Sequence, residues 1–231
     1  MTTLTTATAP TTTTPTRQLG RLEAALVPVG YVALMIGGGI AFALAGGNLD
    51  GVGISLLTAL VTFGTVGLTL AVRVRSFAPL LLRAPGTRWL WTGLGVGVAL
   101  RLLAFVISAL RIAFTGDAWN PHQDLADSAA LGGWSFVAIL ALGGLVIPFA
   151  EELLFRGVLF GALRRYGPVL AGLVSATVFG LAHVWPPLVL FAFVVGVVHA
   201  WMRERSGSIW PAVISHAVVN TLSIVMIALV A

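Results

Sequence analysis

The chain has 231 residues, 58% of them hydrophobic and only 9% charged, with a mean hydropathy of +1.01. Soluble domains carry roughly a quarter charged residues, so this composition excludes a water-facing surface and specifies an integral membrane protein. The absence of cysteine excludes disulfides, thiolate nucleophiles and cysteine-ligated metals. All 13 basic side chains are arginine, which excludes lysine chemistry such as Schiff bases and P-loops. The net charge of +5 is no sign of a nucleic-acid partner, because the arginines lie between apolar runs, where they set topology.

In chain order, residues 1–16 are a threonine-rich, proline-punctuated tract that cannot bury enough surface to fold, and are expected to be a disordered tail. The apolar run that follows is too long for a cleavable signal peptide and is expected to stay as an anchor. Crossing a bilayer takes roughly 20 residues. Ala24–Leu49 and Gly51–Val72 each supply one span, as does Trp89–Ala113, with Arg101 near its middle. Ser128–Ala150 runs on into Glu151 and Glu152; Tyr166–Met202 holds two helices joined at Pro186-Pro187; Ser206–Ala231 is the last crossing. The expectation is an all-α, polytopic bundle of about seven transmembrane helices around a polar chamber. It divides into the tail, an amino-terminal part (residues 17–127) with helices 1–3, and a catalytic part (residues 128–231) with helices 4–7. Arginines fill alternate loops and Asp50, Asp117, Asp124 and Asp127 fall on the other side. The amino terminus is therefore expected in the cytoplasm and the carboxyl terminus outside.

An ionisable group within hydrocarbon costs at least about 2.5–3.5 kcal/mol and is a functional candidate by default. Arg101, Glu151, Glu152 and Arg156 qualify. Glu152 and Arg156 have the i,i+4 spacing of a helical ion pair. Glu151 is rotated about 100° from them and is left free to act. Phe179 and His183 share one face of helix 5, and His216 and Asn220 one face of helix 7. At about 1.5 Å per residue from the arginine-bearing ends, Glu151, His183, His216 and Asn220 lie about 16–25 Å deep, in one layer. Helices 5 and 6 share only 37 residues. Their turn is therefore expected to be recessed, with His183 inside the protein. Arg101 is expected to reach a carbonyl or snorkel, His199 to sit at the cytoplasmic interface, and His122 to be solvated in its loop.

Glu151-Glu152-Leu153-Leu154-Phe155-Arg156-Gly157 reads EExxxRG, Phe179 to His183 reads FxxxH and His216 to Asn220 reads HxxxN. In this order, on successive membrane helices, they resemble the three motifs of the CPBP family. That family comprises the type II CAAX prenyl endopeptidases and the bacterial bacteriocin-processing and lysostaphin-resistance proteins. The resemblance runs from about Ser128 to the carboxyl terminus. It implies an intramembrane endopeptidase with Glu151 as catalytic acid/base, Glu152 and Arg156 as its supporting ion pair, and His183, His216 and Asn220 as further active-site residues.

Two chemistries use these atoms. In one, Glu151 helped by His183 activates a water, and His216 and Asn220 stabilise the oxyanion. In the other, Glu151, His183 and His216 hold zinc. HExxH is absent and asparagine is a poor zinc ligand, so no cofactor is favoured and zinc stays the alternative. Serine and aspartate membrane-protease motifs are missing. Phe179 is equally a packing residue or a pocket wall. The rival readings are a membrane scaffold or immunity factor that keeps the protease fold, and a transporter, for which the expected repeats are absent. The expected partners are the lipid bilayer and a membrane peptide or protein substrate, and the expected location is a bacterial plasma membrane.

Overall fold

The computed structural model describes residues 19–47, 50–116, 123–184 and 186–230. The expected tail, the loop with His122, and Trp185 lie outside them. Helices in chain order are α1 (Arg21–Leu44), α2 (Gly51–Val74), α3 (Thr87–Thr115), the short α4 (Gln123–Ala130), α5 (Gly133–Tyr166), α6 (Pro168–Leu181), α7 (Pro186–Ser206) and α8 (Trp210–Val230). There is no strand among the described residues. Six helices are long and apolar enough to cross a membrane, and α6, with 14 residues, is shorter. The all-α polytopic bundle is therefore borne out, with seven as an approximate count of crossings. The fourth span begins at Gly133 rather than Ser128: Gly132 and Gly133 have φ of 66° and 52°, a left-handed break separating α4 from α5.

Large apolar side chains are exposed along α1 and α3, including Val29, Ile36, Leu102 and Phe105. In water such a surface would aggregate; in hydrocarbon it is the solvated face. Hydroxyls in α2 are satisfied locally, Ser55, Thr62, Thr65 and Thr69 each donating to the carbonyl four residues back.

α3 and α8 run side by side along the site. A Cβ on Gly93 would lie 2.5 Å from the Pro211 carbonyl oxygen, and one on Gly97 would lie 2.7 Å from that of Ser215. Only glycine permits this approach, which is how membrane helices gain contact where lipid removes the hydrophobic drive. Gly93, Gly97 and Arg101 recur every four residues, so the stripe that brings the backbones together also aims Arg101 along α8, where its Nη2 meets the Met226 thioether at 3.6 Å.

The arginine-bearing ends interlock. Arg73 Nε pairs with Glu23 at 2.9 Å, Arg83 Nε donates to the Gly207 carbonyl at 2.6 Å, and Arg164 pairs with Glu204 at 2.6 Å.

Candidate active site

The site is built on α5, which is not a regular helix. Leu142–Val146 and Leu153–Leu159 are wound as π-helix, on either side of the regular turn Ile147–Glu152. Such widened turns free backbone groups and are frequent at functional sites. Pro148 adds to this, since it has no N–H to offer the carbonyls one turn back. α8 takes up those carbonyls: Asn220 Nδ2 donates to Gly143 O at 3.0 Å and Thr221 Oγ1 to Gly144 O at 3.4 Å. Asn220 is thus anchored by a helix irregularity, with one amide N–H committed and one left over.

Glu152 is the hub of a buried charge network. Its Oε2 lies 3.2 Å from Arg156 Nε, both side chains being 0% exposed. The contact lacks hydrogen-bond alignment and is an ion pair rather than a hydrogen bond. The Arg156 guanidinium also sits 4.4 Å from the centre of the Phe179 ring. Glu152 Oε1 accepts from two imidazoles at once, His199 Nδ1 and His216 Nδ1, each at 2.9 Å. A carboxylate paired with arginine only accepts, so both Nδ1 atoms carry the hydrogen. His199 Nε2 is left to take the Ser215 hydroxyl at 3.1 Å. His216 Nε2 points the other way and lies 3.6 Å from Glu151 Oε2. That is beyond a hydrogen bond, at a separation where one water can touch both groups.

Glu151, Phe179, His183, His216 and Asn220 line one cavity of about 470 Å³. Phe179 stands between the imidazoles, edge-on to His183 at 4.8 Å and to His216 at 5.7 Å. His183 Nδ1 donates to the Phe179 carbonyl at 2.8 Å, which leaves Nε2 as its free ring nitrogen. α6 ends at Leu181, about 21 Å along its axis. That is short of the roughly 30 Å hydrocarbon core. The early end brings His183 to the cavity wall, as the short hairpin led one to expect.

The expectation for His199 requires correction. His199 is not interfacial; it is fully buried between Glu152 and Ser215. Arg203, one of the arginines at that end of α7, is itself folded inward, its Nε donating to the Arg156 carbonyl at 3.0 Å and its guanidinium lying 4.3 Å from the Phe160 ring centre. Among the described residues Arg101 reaches the Met226 thioether rather than a carbonyl, and it lines the same cavity as Glu151. Arg156 and Glu152 stand where their spacing predicts. Glu151 has His216 as its nearest opposite charge, when that ring is protonated, rather than no neighbour.

The zinc alternative calls for Glu151, His183 and His216 as ligands. Among the described residues, the carboxylate–histidine group whose ligand atoms lie within 4.8 Å of one another is instead Glu152, His199 and His216. A buried Glu/His/His group capable of metal binding is therefore present, sharing only His216 with the expected set. As arranged, its three ligand atoms are occupied by two N–H···O hydrogen bonds, and a cation there would face the Arg156 guanidinium across the same carboxylate. This donor set fits hydrogen bonding better than a metal.

These features define a polytopic helical membrane protein with a carboxylate–histidine site enclosed between helices. Residues 133–222 match the family described as "Type II CAAX prenyl endopeptidase Rce1-like". The chain is also 30% identical over 89 residues, 38% of its own length and 36% of the relative's, to "Putative membrane peptidase YdiL" of Bacillus subtilis (strain 168). The family match falls on α5 to α8, the helices carrying all three motifs, and together the two similarities bear out the CPBP resemblance. No solved structure matches the chain.

Proposed function

We propose that this protein is an intramembrane endopeptidase that hydrolyses a peptide bond of a membrane-associated protein or peptide with water activated by Glu151. The observation that carries the reading is the 3.6 Å approach of Glu151 Oε2 to His216 Nε2 in a cavity that His183 and Asn220 also line. Water held there gives its proton to Glu151 as its oxygen adds to the substrate carbonyl carbon, and Glu151 passes that proton to the departing amine. His183, with Nε2 free, orients the water. The carbonyl oxygen becomes an oxyanion held by the second N–H of Asn220 and by Nε2 of His216, the latter requiring a proton on that nitrogen. One well-placed donor is worth about 3–4 kcal/mol. Glu152 and Arg156 do not meet substrate; they fix the His216 ring. The amino-terminal part, residues 17–127, supplies the lipid-facing wall, with the amino terminus in the cytoplasm of a bacterial cell and the carboxyl terminus outside.

The test is a comparison of membrane peptides in cells carrying the native protein or Glu151→Gln. Peptides that accumulate uncut only in the variant support the reading. Identical peptide profiles, with the cellular function retained, favour the scaffold. Metal dependence is tested on purified protein: activity that survives exhaustive chelation excludes the zinc alternative.

A further inference from the structure

Arg101 is the fifteenth of the 29 residues of α3, about 21 Å from either end. A guanidinium at the centre of a span costs at least about 2.5–3.5 kcal/mol and calls for a partner. Among the described residues its one contact is the weakly accepting Met226 sulfur at 3.6 Å, and its Nε is buried with no acceptor. Glu151 lines the same cavity, yet the two form no ion pair. The space is therefore polarised, with the carboxylate and imidazoles in one part, a guanidinium in another, and Ala104, Phe105, Ile147, Leu188 and Val195 among its apolar walls. Arg111 lines it too but already has a partner.

We propose that Arg101 recognises a carboxylate of the peptide substrate, and so determines which peptide bond is presented to Glu151. A planar guanidinium takes a carboxylate through two parallel N–H bonds, satisfying the orphaned Nε and one Nη together. An apolar peptide carrying one such group matches the walls, compensates the charge and is held clear of Glu151, which repels it. The carboxylate is either the chain terminus or an Asp or Glu side chain. This inference rests on the endopeptidase reading and adds the substrate's chemical class to it.

The experiment measures binding without turnover. The Glu151→Gln protein in a neutral maltoside detergent is titrated calorimetrically with acetyl-Leu-Phe-Gly as free acid and as amide, and with acetyl-Leu-Phe-Asp amide against its Asn counterpart. At least one acid is expected to bind about tenfold more tightly than its neutral partner, as a charge-assisted pair requires. Which pair shows the preference identifies the terminal or the side-chain carboxylate. Adding Arg101→Gln should abolish the preference and Arg101→Lys should keep part of it, which separates lost charge from lost fold. Equal binding of acids and amides overturns the inference, as does a preference that survives Arg101→Gln. Acid binding that is abolished by one equivalent of phosphatidylglycerol assigns the guanidinium to a lipid phosphate and equally overturns it. Cleavage in cells without an acid preference defeats this inference alone; an acid preference without cleavage defeats the endopeptidase reading instead.

Discussion

Replacing His199 with leucine isolates the buried network from the reacting groups, because His199 is fully buried and does not line the cavity. Two hydrogen bonds disappear, one to the Glu152 carboxylate at 2.9 Å and one with the Ser215 hydroxyl at 3.1 Å. Bonds to charged groups contribute about 1.5–3 kcal/mol and neutral ones about 0.5–1.5. Against this, leucine removes a buried polar ring, so the expected net loss is about 2–4 kcal/mol. At about 2–4 °C per kcal/mol for a chain of this size, Tm in detergent should fall by roughly 5–15 °C. His199→Asn keeps a donor near the Nδ1 position and should recover a substantial part. Light-scattering or fluorescence-detected melting of the three proteins, purified side by side, gives the comparison. A leucine protein that melts with the native one would refute the claim that Glu152 depends on two imidazoles, and would return His199 to passive packing.

Four further outcomes follow from the same geometry. Glu152→Gln leaves Arg156 buried without its counter-charge and should cost about 3–5 kcal/mol in detergent melts, whereas the Glu152→Gln, Arg156→Met pair should regain much of it. Asn220→Ala should lower kcat by about 100- to 1000-fold on a peptide identified in the cellular comparison, with a smaller change in KM, since in the proposed mechanism the lost donor acts on the oxyanion. Gly97→Val places methyl groups where the Ser215 carbonyl and Val218 already lie within 3.0 Å of a bare Cβ, and should cost about 1–3 kcal/mol by parting α3 from α8, read as a lowered Tm. Chelation is expected to leave peptide cleavage unchanged, and loss of activity restored by zinc would reverse the metal-free assignment.

Much of this site was legible before any coordinates. Charge-free stretches of span length gave the helices, and motif spacing gave the Glu152–Arg156 pair, because i,i+4 contact is a local property of a helix and survives the π-wound turn. Depth counting placed Glu151, His216 and Asn220 in one layer, since rise per residue is nearly constant whatever the neighbours. What failed was inference about neighbours. The burial of His199 is not legible in the sequence, because distance along α7 from Arg203 is not distance from water: whether an arginine turns outward or onto a phenylalanine ring is decided by tertiary packing. The direction of Arg101 is hidden for a related reason: it is set by the glycine stripe against α8, a partner more than a hundred residues away. A signal for the stripe was available, as Gly93 and Gly97 form a small-xxx-small pair with Arg101 in phase. The anchoring of Asn220 could not be foreseen, because it depends on which carbonyls Pro148 and the π-turns release.

The in-phase alignment of Gly93, Gly97 and Arg101 ties two quantities to one face of one helix. The first two residues act as a caliper on how closely α3 lies beside α8, and the third rides on the same jaw. Any bulk added to the glycines would open the aperture and swing the cation away together, so tolerance for larger cargo and loss of charge discrimination should be acquired in one step.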